Sequence, residues 1–161
     1  MKTPSSENTN VSDPGAEDAL EFLGDLWSLE HALHTASKRM ALRFGVTGTQ
    51  RFVVRMLGRN PGMGAGELAE RMHDHPSTLT GVLQRLVEAG LIERRVDAAD
   101  RRRAVLNLSA RGRELDALRE GTIEAAVGAA LARLDPAHVA IARAVLAEVV
   151  ASLDEQQRTP G

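Results

Sequence analysis

Cysteine is absent from the 161-residue chain, which excludes disulfides and a thiol redox switch and removes most structural zinc arrangements. Tyrosine is absent too, and aromatics make up only 2% of the residues, so a core has to be built from Leu, Val, Ala and Met. That palette favours packed helices. Nothing resembles a secretory leader, and no apolar run approaches the roughly 20 residues a membrane helix requires. A cytoplasmic protein without a membrane partner is the expectation. A glycine-rich phosphate loop and any His/Asp/Ser group at telling spacing are also missing, so no catalytic residue, no cofactor and no enzyme are expected.

What is present is one domain's worth of chain, 43% hydrophobic and 26% charged, as in a globular protein. The net charge of −2 hides its layout. Acidic residues dominate the first 30 positions, whereas Arg94 to Arg113 carries seven arginines against Asp97 and Asp100. A phosphate backbone responds to local charge within a Debye length of about 8–10 Å, so the acidic total does not veto a nucleic-acid partner.

Met1 to Pro14 is polar and aperiodic, a disordered tail by composition. A long helix is predicted from about Gly15 to Phe44. Its main stripe is Ala19, Leu23, Leu26, Leu33, Met40 and Phe44, and a second line carries Leu20, Trp27, His31, His34 and Lys38. Two interacting faces suit two partners, the chain's own core and a second subunit. Thr47-x-x-Gln50 is a capping box opening the next helix, with Phe52, Val53, Met56 and Leu57 as its apolar face. Arg51, Arg55 and Arg59, four residues apart, are expected on a solvated face. After the Asn60-Pro61-Gly62 break comes a short helix with Leu68, Ala69 and Met72 inward. The tight link His73-Asp74-His75 to Pro76 then makes a helix-turn-helix. Two histidine pairs, His31/His34 and His73/His75, offer too few ligands for zinc, and no metal site is expected.

The most informative stretch is Pro76–Ser109. Leu79, Val82, Leu83, Leu86 and Val87 recur at helical spacing, while Ser77, Thr78, Thr80, Gly81, Gln84 and Arg85 occupy the other face. Ser, Thr and Gly are poor exposed helix formers, so their clustering requires a reason. Gly90 suits the left-handed position that ends a helix. The runs Leu91–Val96 and Ala104–Leu108 suit an antiparallel hairpin whose turn carries Asp100, Arg101, Arg102 and Arg103. Three consecutive guanidinium groups at a hairpin tip have few uses in a core and suit an anionic partner. Beyond it, Ser109 is a natural N-cap, Ala110–Leu134 has a helical pattern, and Asp135-Pro136 opens a last helix with Val139, Ala142, Val145, Leu146, Val149 and Leu153 on one stripe.

The string ELAERM…PSTLTGVLQRLVEAGLIERR…DRRRAVLNLSARG resembles the winged helix-turn-helix of the MarR (multiple antibiotic resistance regulator) family of bacterial transcription factors. The resemblance extends in outline from about Glu17 to Leu153. It is sharpest at Asp100-x-Arg102, the following strand, Leu108-Ser109 and Gly112. It implies a mainly α fold with a small β-hairpin wing: a winged helix-turn-helix of about six helices with a helical dimerisation region built from both termini. The chain then divides into a tail (1–14), N-terminal helices for dimerisation and the start of the DNA-binding part (15–60), the winged core (61–109), C-terminal dimerisation helices (110–154) and a frayed end (155–161).

The resemblance also implies function. The expected protein is a homodimeric, ligand-responsive repressor on a double-stranded, pseudo-palindromic DNA operator. Ser77, Thr78, Thr80, Gln84 and Arg85 would reach the major groove. Arg102 would enter the minor groove, oriented by Asp100, with Arg101 and Arg103 on phosphate. A pocket between the first, second and fifth helices, lined by Trp27, His31, Phe52, Met56 and Arg55, would take a small aromatic or phenolic effector. Packing or dimer contact serves equally well for Trp27 and the histidines. The rival from another class is a winged-helix protein-interaction module without DNA binding.

Overall fold

The computed structural model describes residues 14–72, 76–97 and 104–158. Within them the elements run α1 (Pro14–Phe44), α2 (Gly48–Arg59), β1 (Met63–Gly64), α3 (Ala65–Met72), α4 (Pro76–Glu88), β2 (Ile92–Val96), β3 (Ala104–Leu108), α5 (Ala110–Ala117), α6 (Ile123–Leu131) and α7 (Pro136–Arg158). The fold is mainly helical with a small antiparallel sheet. The tail before Pro14, the His73–His75 link and the turn residues Asp100 to Arg103 lie outside the described residues.

Local chemistry sets most of the boundaries. Thr47 Oγ1 accepts from the Gln50 amide while Gln50 Oε1 accepts from the Thr47 amide at 2.9 Å, closing the capping box that starts α2. Ser109 caps α5 by accepting from the Gly112 amide, and Asp135 accepts from Ala137 N–H at the start of α7. Gly90, at φ +66, ends α4. Its amide bonds Val87 and that of Leu91 bonds Leu86, the paired arrangement that satisfies the last carbonyls of a helix.

The sheet order is β1-β3-β2, with Met63 opposite Leu106, Ile92 opposite Leu108 and Val96 opposite Ala104. The hairpin is the one expected from sequence. β1 is an addition: two residues after the Asn60-Pro61-Gly62 break are too few to show periodicity.

The core lies within the winged lobe. Val53, Val54, Leu57, Leu68, Leu79, Leu86, Ile92 and Leu106 are almost wholly buried, and Leu115 of α5 packs with them. On α2 the buried line is Val53, Val54 and Leu57 rather than the expected face containing Phe52, which is 46% exposed. On α4, Val87 of the expected stripe is exposed, while Leu79, Leu83 and Leu86 are buried.

Two differences concern the C-terminal third. The expected helical segment Ala110–Leu134 is two helices, because the chain turns at residues 118–122 with Gly121 at φ +77 and Thr122 capping α6. α7 continues through Arg158, past Asp154 where its apolar stripe stops. Within it Pro136–Gln156 has a mean hydropathy of 1.5 and is long and apolar enough to cross a membrane by length and composition. This corrects the expectation that no such run exists; Arg143 and Glu148 interrupt the stretch without lowering its average enough to exclude it.

Around the lobe, α1, α6 and α7 expose Trp27, Leu33, Val127, Leu131, Ile141 and Leu146, among other large apolar side chains. So many exposed large apolar side chains on three helices go beyond the scattered few that a soluble surface ordinarily carries.

Candidate nucleic-acid interface

α3 and α4 pack against the sheet through Leu68, Ala69, Leu79, Leu83 and Leu86, and this fixes which side of α4 faces outward. Thr80, Gly81, Gln84 and Arg85 are exposed there. Gln84 donates from Nε2 to Glu88 Oε1 at 2.9 Å, which holds the amide along the helix surface. A β-carbon added at Gly81 would meet nothing from the rest of the fold within 4 Å, while Thr80 and Gln84 border a groove whose other side includes Val150 and Asp154 of α7. Ser77 and Thr78 fall in the first turn of α4, but their side chains, like Asp100, Arg101, Arg102 and Arg103, lie outside the described residues.

The neighbouring hairpin rises beside α4. Arg94 and Arg95 of β2 are exposed, Arg95 paired with Glu93 at 2.5 Å. The strands stay paired as far as Val96 and Ala104, and the hairpin they form belongs to the same lobe that presents α4. A helix with a small polar outer face and a basic hairpin form two adjacent elements, one suited to a major groove about 12 Å wide and the other to the groove beside it.

The expected effector-site residues are less gathered. Trp27 is 63% exposed on α1, His31 is exposed on the same helix, Phe52 points outward from α2, and Met56 is half-buried against the core. Arg55 donates to Asp116 Oδ1 at 2.7 Å and to the Asp116 carbonyl at 3.1 Å, so its guanidinium is already engaged. An open groove of about 1200 Å³ lies elsewhere, between α3, α4 and the end of α7, bordered by Ala65, Leu83, Val87, Arg94, Val150 and Asp154. None of the five expected residues borders it.

The sequence reading missed a buried guanidinium. Arg51 was expected on a solvated face; it is 1% exposed, and it and Thr122 are the buried polar side chains among the described residues. Arg51 donates from Nε to Glu124 Oε1 at 2.8 Å, from Nη1 to the Leu115 carbonyl, and from Nη2 to the Leu118 carbonyl at 2.6 Å. These carbonyls end α5, where helix geometry leaves C=O groups unpaired and the backbone dipoles favour a cation. Arg59, the last of the series, is exposed as expected.

Burial raises the Glu124 pKa, but the Arg51 hydrogen bond and charge, with Thr122 and the Glu124 backbone amide, outweigh this and hold it below its ordinary value of 4.5. A carboxyl depressed in the folded state contributes stability that is fully present above its unfolded pKa and lost as pH falls through the folded pKa. The stability difference between the parent and Glu124→Gln is therefore expected to be constant near neutrality and to shrink below about pH 4.5. Denaturant midpoints across pH 3 to 7 (roughly the titration window) check this; a difference that grows on acidification would contradict it.

Comparison with known proteins places these features among relatives. Residues 46–104 match the sequence model of the MarR family. HTH-type transcriptional repressors of Mycobacterium tuberculosis and Mycobacterium bovis are 34% identical over 90 residues, which cover 56% of this chain and 65% of theirs. Among solved structures, the transcription regulator MarR of Oenococcus oeni superposes with a TM-score of 0.71 at 22% identity, covering 80% of this chain and 98% of that one. The S. aureus MepR–DNA complex gives 0.67 at 20% identity, covering 82% and 97%. Streptococcus pneumoniae FabT in complex with DNA gives 0.62 at 20% identity, covering 88% and 99%. At these identities the structural likeness is one of fold.

Proposed function

We propose, from the match of residues 46–104 to the MarR-family model, that the protein is a homodimeric transcriptional repressor that binds a pseudo-palindromic DNA operator and answers to a small aromatic effector. The observation that carries this reading is the outer face of α4, small and polar over Thr80, Gly81, Gln84 and Arg85, presented beside a hairpin that leads into Arg101-Arg102-Arg103. Relatives named as repressors, and fold neighbours solved on DNA, support it.

The dimer follows from the uncovered apolar faces of α1, α6 and α7. A second copy buries all three at once, whereas a membrane would take only α7 and would have to accommodate Arg143 and Glu148. A two-fold protein reads two-fold DNA, with half-sites about 34–36 Å apart. The place of action is the cytoplasm, and the protein acts by binding rather than by catalysis. For the effector, Trp27, His31, Phe52 and Met56 supply aromatic and apolar contacts at the boundary of α1 and α2; Arg55, held by Asp116, would have to exchange partners to receive an anion.

Arg102→Ala is expected to weaken binding to a duplex selected from a randomised pool by about 1–3 kcal/mol, measured by fluorescence anisotropy. Ser77, Thr78, Thr80, Gln84 and Arg85 would mainly alter which sequence is preferred, and Asp100, Arg101 and Arg103 overall affinity. Unchanged affinity in Arg102→Ala removes the minor-groove assignment. If the parent enriches no duplex at all, the winged-helix protein-interaction module is the better reading.

A further inference from the structure

The chain turns between α5 and α6 although its apolar pattern runs on from Ala110 to Leu134, and the two arms of this elbow belong to different parts of the molecule. α5 is fastened to the winged lobe: Leu115 lies in the core, and the Ser109 amide and hydroxyl both donate to the Leu91 carbonyl. α6 carries no buried residue and lies with α1 in the helical region. Apolar packing therefore does little to fix the angle between them.

Polar contacts from α2 reach both arms. Arg51 holds the carbonyls of Leu115 and Leu118 at the end of α5 and the carboxylate of Glu124 in the first turn of α6. Arg55, one turn further along α2, pairs with Asp116 at 2.7 Å and lies 3.7 Å from Glu124. Glycines let α2 sit this close. A β-carbon at Gly58 would come within 2.5 Å of the Asp116 carboxylate, and one at Gly48 within 2.7 Å of Ile123 Cδ1. The Gly48 amide also donates to Ser37 Oγ at 2.8 Å, tying the same helix to α1.

We propose that Arg51, Arg55, Asp116 and Glu124 clamp the α5–α6 elbow against α2 and so set how the winged lobe is carried relative to the helical region. In a dimer this would fix the separation of the two α4 helices. That consequence rests on the DNA-binding reading above; the clamp itself does not. The four residues are positioning residues and touch no DNA. A planar, five-donor guanidinium suits the task because it meets two carbonyls and a carboxylate at once, which an ammonium cannot do in one geometry.

The absence of cysteine makes the test direct. Spin labels on cysteines introduced at Glu88 and Arg133, both exposed, report the distance from the lobe to the helical region in electron–electron double resonance. Labelled chain is mixed with excess unlabelled chain so that each assembly holds one pair. One narrow distance distribution is expected for the parent. Glu124→Gln and Arg51→Lys should broaden or displace it by on the order of a few ångströms. Glu124→Gln keeps volume and an acceptor at a half-exposed position, so it tests the clamp even if Arg51→Lys unfolds. A narrow, unmoved distribution in folded Glu124→Gln overturns the clamp, even if its melting temperature has fallen.

The same variants, titrated on duplexes with one or two half-sites selected by the parent, should lose affinity for two and keep it for one. Two-half-site affinity equal to the parent's overturns the spacing role. Failure of the parent to bind any duplex overturns the DNA reading alone, because the distance measurement needs no DNA.

Discussion

Arg51→Met is expected to lower the melting temperature by on the order of 10 °C, the consequence of losing about 3–5 kcal/mol in a chain of this length. Methionine keeps most of the aliphatic stem, so the change isolates the guanidinium. Its loss leaves the buried Leu115 carbonyl without its side-chain donor and strips Glu124 of its closest cation. Arg55 and Arg119 already donate to the Asp116 carbonyl, and Arg119 also reaches that of Leu118, so the damage should centre on Leu115 and Glu124. Removing the guanidinium costs more than its contacts contribute, chiefly because the Leu115 carbonyl it leaves stays buried, while Glu124, 32% exposed, keeps part of its hydration. Arg59→Ala, at an exposed position of the same helix, provides the contrast and should stay within about 0.5 kcal/mol of the parent. Thermal unfolding followed by circular dichroism checks both; similar small shifts for the two would mean that the Arg51 contacts contribute little.

Gly112→Ala is the second large effect, expected at or above the upper end of the ~1–3 kcal/mol typical of overpacking. A β-carbon there would lie 2.0 Å from the Leu91 carbonyl oxygen, a backbone atom. That oxygen cannot simply step aside. It accepts from the Ser109 amide at 3.1 Å, and the Leu91 amide in turn bonds Leu86 at the end of α4. Relieving the clash means lifting α5 from the corner that follows Gly90, with loss of the Ser109 contacts. Gly81→Ala supplies the opposite sign: nothing lies within 4 Å of its added methyl, and alanine is the better mid-helix residue by roughly 0.5–1 kcal/mol. Denaturant midpoints should move down for Gly112→Ala and slightly up for Gly81→Ala.

The sequence disclosed features whose cause is local. Thr47 with Gln50, Ser109, Gly90 and Asp135-Pro136 act within a few residues of themselves, and each boundary follows from those side chains. The inward faces of α3 and most of α4 were visible for the same reason, a repeat at helical spacing. The burial of Arg51 was not visible, since its partner Glu124 stands 73 residues away and an arginine repeating every fourth position looks like a solvated stripe. Phe52 was placed inward because it is large and apolar; the face that packs is instead the one shared by Val53, Val54 and Leu57, with the ridge Arg51, Arg55 and Gly58 turned toward the elbow. The elbow did leave a signal that periodicity overrode. Gly121-Thr122 followed by Glu124 is a left-handed stop and a new N-cap, placed inside an apolar pattern that continues past it.

The residues proposed to contact DNA were a matter of pattern and resemblance rather than packing. The structure positions α4 and the strands beside it, and Thr80, Gln84 and Arg85 are exposed.

The most direct test of the central claim is a titration of the unmodified protein on a duplex it has itself selected, from about 50 to 200 mM salt. The account predicts two chains per duplex and an association constant that falls linearly in log–log form, with a slope of roughly −5 to −9. No enriched duplex, or binding that salt leaves unchanged, would contradict it.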